Sequence, residues 1–314
     1  MALSSHDPTR CEALPAAMTA ADDFKDVVPF EIRSSAEQRV PFVFNSPHSG
    51  RFYPPRFLEM SRLDKQAIRR SEDCYVEQLF GGAAALGAPL LLAHFPRAYL
   101  DVNREPWELD PRMFSDPLPS FANIRSPRVA GGLGTVPRLV GEGLDIYKTR
   151  LPLSEALSRI QGIYEPYHET LRHLLGRTQM RFGYAVLVDC HSMPASIRIG
   201  ENGLRPDFII GDRFGASAAP ELTEAAIRLL AGMGYTVAYN KPYAGGFITE
   251  HYGRPARNRH AIQIEINRGL YMNERSLERR SGFDALTDDL TRFCSDLMAL
   301  PDHHFRQAPP LAAE

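Results

Sequence analysis

Cysteine is scarce in this 314-residue chain: Cys11, Cys74, Cys190 and Cys294 stand far apart, with no CxxC pair. That spacing excludes a disulfide scaffold and points to a reducing cytoplasm. Lysine is equally scarce, at Lys25, Lys65, Lys148 and Lys241 only. The basic side chains are therefore mostly arginine, whose planar fork suits two-point binding of carboxylates. A formal net charge of -2 gives no electrostatic reason to expect nucleic acid or a membrane surface as partner. No apolar run approaches the ~18 residues of a spanning helix. The N-terminus, with His6, Asp7 and Glu12, lacks the basic segment and apolar core of a secretory signal. There is no HExxH, and Gly131-Gly-Leu-Gly134 lacks both the GxGxxG order and a preceding strand, so a dinucleotide loop is not expected.

With 44% hydrophobic and 24% charged residues, the chain reads as an ordinary globular protein. Residues 1–26 show no clear period and are expected to form a loose arm, with one catalytic domain over 27–314. Strands are expected at Val40–Asn45, Leu90–Phe95 continuing through Pro96 to Arg104, Tyr184–Cys190, Asp207–Gly211, Thr236–Asn240 and Ala261–Asn267. Helices are expected at 62–86, 154–177, 220–233 and 274–300. Pro106–Gly143 is a long irregular insertion rich in Pro, Gly, Asp and Arg, of the kind that is usually functional or mobile. The alternation of strands and helices predicts an α/β fold, a mainly parallel or mixed twisted sheet sandwiched by helices.

Chemistry gathers at strand ends. Tyr184-Ala-Val-Leu-Val-Asp-Cys-His-Ser192 is an apolar run that ends in polar residues. Alternation places Asp189 and His191 on one face and Cys190 on the other. In the last strand Ile262, Ile264 and Ile266 share a face, opposite Gln263, Glu265 and Asn267. Three polar residues in register require either solvent, as on an edge strand, or a polar cavity. His48, in the Pro/Gly-held loop after the first expected strand, could join His191 and a carboxylate around zinc, with the fourth position left for water. Glu265 would then handle the proton. His94, His168 and His173 lie inside regular elements and read as surface or satisfied buried histidines. His251, Tyr252 and Tyr271 fit substrate contact and loop packing equally well.

Four segments together resemble the N-formylglutamate amidohydrolase (deformylase) family, over residues from about 40 to 275. They are Asn45-Ser-Pro-His-Ser-Gly-Arg-Phe-Tyr-Pro54, Arg97-Ala-Tyr-Leu-Asp-Val-Asn-Arg104, Val188-Asp-Cys-His-Ser-Met193 and Gln263-Ile-Glu-Ile-Asn-Arg-Gly-Leu-Tyr271. The resemblance implies a three-layer fold related to the zinc carboxypeptidases, and zinc-dependent hydrolysis of N-formyl-L-glutamate to formate and glutamate in histidine breakdown. The implied partner is a small acidic N-acyl amino acid, in the cytoplasm. By the same resemblance His48 and His191 are zinc ligands and Glu265 is the general base. Zinc carboxypeptidases place a Glu three residues after their first histidine. Arg51 stands there in this chain, so the third ligand is sought in Ser71-Glu-Asp-Cys74, as Asp73 with Glu72 the alternative. Asn103 and Arg104 resemble the pair that grips a substrate carboxylate, and Asn267 is a further candidate for substrate binding. Arg97 would polarise the scissile carbonyl or bind the second carboxylate, and Asp189 would orient a ligand from behind. The rival readings are an amidohydrolase for a succinyl or acetyl amino acid, and a non-catalytic dicarboxylate-binding protein on the same fold.

Overall fold

A computed structural model describes residues 19–141, 143–200 and 203–305. Its frame is a seven-stranded sheet of β1 (Phe30–Arg33), β2 (Phe42–Ser46), β3 (Leu90–Ala93), β4 (Ala185–Met193), β5 (Phe208–Gly211), β6 (Val237–Tyr239) and β7 (Arg259–Asn267), in the spatial order β1-β3-β2-β4-β7-β5-β6. The four strands β3, β2, β4 and β7 run parallel, β1 and β5 are antiparallel to their inner neighbours, and β6 is parallel to β5. The expected mixed α/β sheet is thus the fold observed.

The helices are α1 (Ala20–Asp23), α2 (Pro55–Met60), α3 (Val76–Leu79), α4 (Gly82–Ala85), α5 (Pro127–Ala130), α6 (Leu153–Arg159), α7 (Glu165–Phe182), α8 (Pro220–Gly232), α9 (Phe247–Tyr252) and α10 (Phe283–Met298). α7 covers one face of the sheet, where Tyr167, Leu171 and Leu174 pack on Val43, Leu91 and Leu187. On the other face Phe44, Val188, Ile262 and Ile264 pack with Val76 of α3, Leu222 of α8 and Leu290 of α10. Both faces of the central strands are covered, which is why those strands carry apolar side chains on both. Helix ends follow local rules: Pro220 opens α8, and Gly183 closes α7 at φ 83. None of these helices is long and apolar enough to cross a membrane.

Several expectations are corrected. The expected arm over 1–26 lies mainly outside the described residues, but its last part is ordered: Ala20 and Phe24 are buried in the core. The helix expected over 62–86 is broken into a 3-10 turn at Ala67–Arg69, α3 and α4. Tyr75 sits at φ 69, outside the helical region, and the Asp73 amide donates to the His48 carbonyl at 3.0 Å. The loop between is therefore held by tertiary contact against the local helical pattern. No strand continues through Pro96. Proline lacks the N–H for a ladder, and its carbonyl instead accepts from Tyr99 in a turn that buries Tyr99 in the core. The closing helix begins at Phe283 rather than near 274, where its buried face begins. The 106–143 insertion is irregular but anchored, with Leu109, Met113, Phe114, Val136 and Val140 in the core.

Candidate metal centre

Most polar residues of interest lie at or just beyond the carboxyl end of a parallel strand, and Asp73 is brought to them by the loop before α3. β2 pairs with β3 on one side and β4 on the other, so the chain reverses its direction of winding there, the place where open α/β sheets form a ligand crevice. His48 follows β2, the 97–104 loop follows β3, His191 lies near the end of β4, and Glu265 faces it in register from β7. The loop of His48 reaches the crevice because Gly50 lies against the Phe95 backbone. A Cβ there would come 2.0 Å from the Phe95 carbonyl oxygen.

His48, Asp73 and His191 bring ligand atoms within 4.8 Å of one another, and all three are buried. Their arrangement repeats one unit. His48 turns Nε2 to Asp101, whose Oδ1 accepts at 2.8 Å, and leaves Nδ1 3.6 Å from Oδ2 of Asp73. His191 turns Nε2 toward Asp189, 3.0 Å from Oδ2, and Nδ1 toward the same Asp73 oxygen at 3.1 Å. Asp101 behind His48 fixes the proton on Nε2 and frees the Nδ1 lone pair, whereas His191 meets Asp73 at Nδ1 and both Asp189 and the Asn103 amide group, at 3.3 Å, at Nε2. His48 Nδ1 has no hydrogen-bond partner although it is buried. Two imidazoles and a carboxylate thus converge on one point, a donor set that could hold a metal ion. Glu72 is spent elsewhere, on Arg69 at 2.8 Å and Tyr53 at 3.2 Å. Asp73 is therefore the carboxylate brought to the cluster.

Burial works to raise the Asp73 carboxyl, yet His191, His48 and Arg268 hold it well below the usual carboxylate range. Burial would lower the His191 imidazole, but Asp189, Asp73 and Glu265 raise it well above the ordinary histidine value. Burial pushes the Glu265 carboxyl up to about 7, against the pull of His191 and the guanidinium groups of Arg97 and Arg268. A carboxyl poised there changes protonation state near neutrality, as a general base and acid must.

A cavity of about 630 Å³ opens over the cluster. Glu265, Arg97, Asn103 and Arg104 line it, as do Gln263, Tyr243 and Arg268. β7 is paired on both sides, so its polar face meets this cavity and not edge solvent. Gln263 donates from Nε2 to Glu265 at 2.8 Å and accepts the Gly246 amide at 2.8 Å, which fixes the Glu265 carboxylate. Asn103 accepts the Ile248 amide at 2.8 Å. Asn267 does not line the cavity: its side chain caps Gly269 at 2.9 Å and donates to Pro206 at 3.0 Å, so its place in substrate binding is not supported. His168 is buried and satisfied, as expected, between the Val102 carbonyl and the Tyr252 hydroxyl. His251, Tyr252 and Tyr271 do not line the cavity either.

A family profile described as N-formylglutamate amidohydrolase matches residues 40–272. The chain belongs to that family. An N-formylglutamate deformylase of Pseudomonas aeruginosa is 30% identical over 249 residues, 78% of this chain and 87% of the relative. One from Pseudomonas putida is 32% identical over 250 residues, 78% and 86%. The crystal structure of N-formylglutamate amidohydrolase from Ralstonia eutropha superposes with a TM-score of 0.82 at 35% identity, covering 87% of this chain and 98% of that one.

Asp101, Arg268 and Tyr243 were not singled out as site residues from the sequence, and Gln263 was named only as part of the polar face of the last strand. Asp101, Gln263 and Arg268 stand inside two of the four family segments quoted above. Arg268 donates to Asp73 Oδ1 at 2.8 Å and to Ser192 at 3.0 Å, and so holds the Asp73 carboxylate in place. Behind the cluster, Tyr167 donates to Asn45 at 2.6 Å and Asn45 to Asp189 at 2.8 Å, a fully buried chain that ends on the support of His191.

Proposed function

We propose that the protein is a zinc-dependent amidohydrolase that converts N-formyl-L-glutamate to formate and L-glutamate, a step of histidine breakdown in the cytoplasm. The carrying observation is the buried His48–Asp73–His191 cluster facing Glu265 in a cavity lined by arginines. The family relatives, named N-formylglutamate deformylase, support the substrate. Two imidazoles and a carboxylate suit zinc, and the free thiols of Cys74, Cys190 and Cys294 suit a reducing compartment.

His48, Asp73 and His191 would hold the ion, which supplies Lewis acidity for water and the formyl carbonyl. Glu265 accepts a proton from the attacking water as its oxygen bonds to the formyl carbon. It returns that proton to the nitrogen as the C–N bond breaks, so formate and the free amine leave. Gln263 keeps the Glu265 carboxylate aimed through this exchange. Arg97 uses only Nε on Asp101, at 3.0 Å, and presents its two terminal nitrogens to the cavity. There it stabilises developing negative charge or grips a carboxylate. Arg104 and Asn103 shape the wall beside it.

Turnover of formyl-, acetyl- and succinyl-glutamate by metal-analysed protein tests this reading, with the formyl compound expected to lead. Glu265→Gln is expected to lower kcat by a factor on the order of 10³ while metal content and substrate binding persist. Protein that carries no divalent metal, and gains no activity when metal is added, would refute the proposal.

A further inference from the structure

The cavity holds six arginines, Arg70, Arg97, Arg104, Arg128, Arg213 and Arg268, and their commitments differ. Arg104 spends Nε on the Leu133 carbonyl at 2.8 Å and Nη1 on the Asn103 carbonyl at 2.7 Å, and its Nη2 lies 3.4 Å from Asp101. Arg268 is used on Asp73 and Ser192, and Arg213 on Glu250 at 2.7 Å. Arg70 is exposed, where water screens any ion pair it makes. Arg128, on α5, is half-buried, and no hydrogen bond or ion pair joins its guanidinium to another described residue. It lies near Arg104, which burial, then the guanidinium groups of Arg97 and Arg128, lower to about 10 against the pull of Asp101. A guanidinium kept half out of water beside a second one costs free energy unless an anion arrives.

The chain fixes Arg128 in this place. The Arg128 carbonyl accepts from Leu133 at 2.8 Å, and Leu133 in turn anchors Arg104. Gly134 lies so near Glu108 that a Cβ would meet its carbonyl oxygen at 2.1 Å. Gly134 in the Gly131–Gly134 run is thus what lets the loop close and present Arg128.

We propose that Arg128 binds the side-chain carboxylate of the substrate and makes the site selective for a glutamyl over an uncharged residue. The inference rests on the function proposed above. Arg97 is tied through Asp101 to His48 and so stands near the scissile amide, where the α-carboxylate lies. Arg128 lines the same cavity and neighbours Arg104, which itself contacts Asp101 behind His48, and takes the γ-carboxylate.

The test compares N-formyl-L-glutamate with N-formyl-L-glutamine, which keeps the α-carboxylate and loses the γ charge. Arg128→Gln is expected to raise KM for formylglutamate about 10- to 100-fold with kcat little changed, and to alter kcat/KM for formylglutamine less than about threefold. Arg128→Lys should recover part of the loss, and the melting temperature of Arg128→Gln should be unchanged or higher. Equal losses on both substrates, no loss on either, or a selective loss in Arg70→Gln instead, would overturn the assignment while leaving the amidohydrolase reading intact. Wild-type protein that turns over neither substrate would overturn both.

Discussion

Asp101 concentrates several demands in one side chain. Its Oδ1 accepts from His48 and from the Asn103 amide, each at 2.8 Å, while Oδ2 faces Arg97 and Arg104. Burial works to raise this carboxyl, but Arg104, Arg97 and His48 hold it well below the usual range, so it is charged whenever the enzyme is folded near neutrality. That charge sets the tautomer of His48 and so the lone pair offered to a metal. Asp101→Asn is expected to weaken metal affinity about 10- to 100-fold, read by competition with a chromophoric chelator and not by activity alone. The chain behind His191 makes a second demand at this scale. Tyr167→Phe leaves the Asn45 carbonyl oxygen without its buried donor and is expected to cost roughly 1–3 kcal/mol of stability in denaturant unfolding.

At the scale of elements, the parallel strands do the positioning. Pairing of β4 with β7 sets Asp189 opposite Gln263 and His191 opposite Glu265. Side chains of one face then line up across the two strands, so His191 and Glu265 share a wall without any local motif. The loops do the rest, and they depend on close backbone approach. Gly134→Ala would push the 128–134 segment off Glu108. The expected result is a loss of about 1–3 kcal/mol in stability and a raised KM for formylglutamate, measured together by thermal unfolding and steady-state kinetics. The polar face of β7 was legible as a pattern, but an edge strand produces the same pattern. Only the pairing of β7 with β5 showed that a cavity lay beyond it. The 97–104 stretch was legible in its residues and misread in its shape, because Pro96 turns the chain and Tyr99 goes to the core.

For the whole molecule, two solution properties follow. Removal of bound metal leaves His48, His191 and Asp73 facing one another without a cation, so chelation is expected to lower the melting temperature, reversibly on metal return. At free metal a thousandfold above Kd the difference amounts to about 4 kcal/mol. The second property belongs to His168, which burial lowers to about 4 despite its bond to the Val102 carbonyl. The unfolded chain then binds a proton in the range where the folded one does not. The stability from neutral burial is complete above an unfolded value of about 6.5 and is lost as pH falls from there toward 4, on the order of 3 kcal/mol in all. Urea midpoints across that window should flatten in His168→Gln relative to wild type.

The sequence by itself determined the α/β class, the facing of Asp189 and His191 away from Cys190, and the family to which four separated segments belong. These are properties of period and of local residue order, and both survive in one dimension. It narrowed the expected third ligand to Glu72 or Asp73, and the fold brings Asp73 to the two histidines while Glu72 meets Arg69 and Tyr53. Tertiary structure alone decided that Asp101 backs His48, that Arg268 holds Asp73, and that Asn267 serves a turn. It also decided which arginines have partners among the described residues. A side chain's partners are set by where strand ends and loops meet in space, and residues as far apart as Asp73 and Arg268 become neighbours only when the sheet assembles.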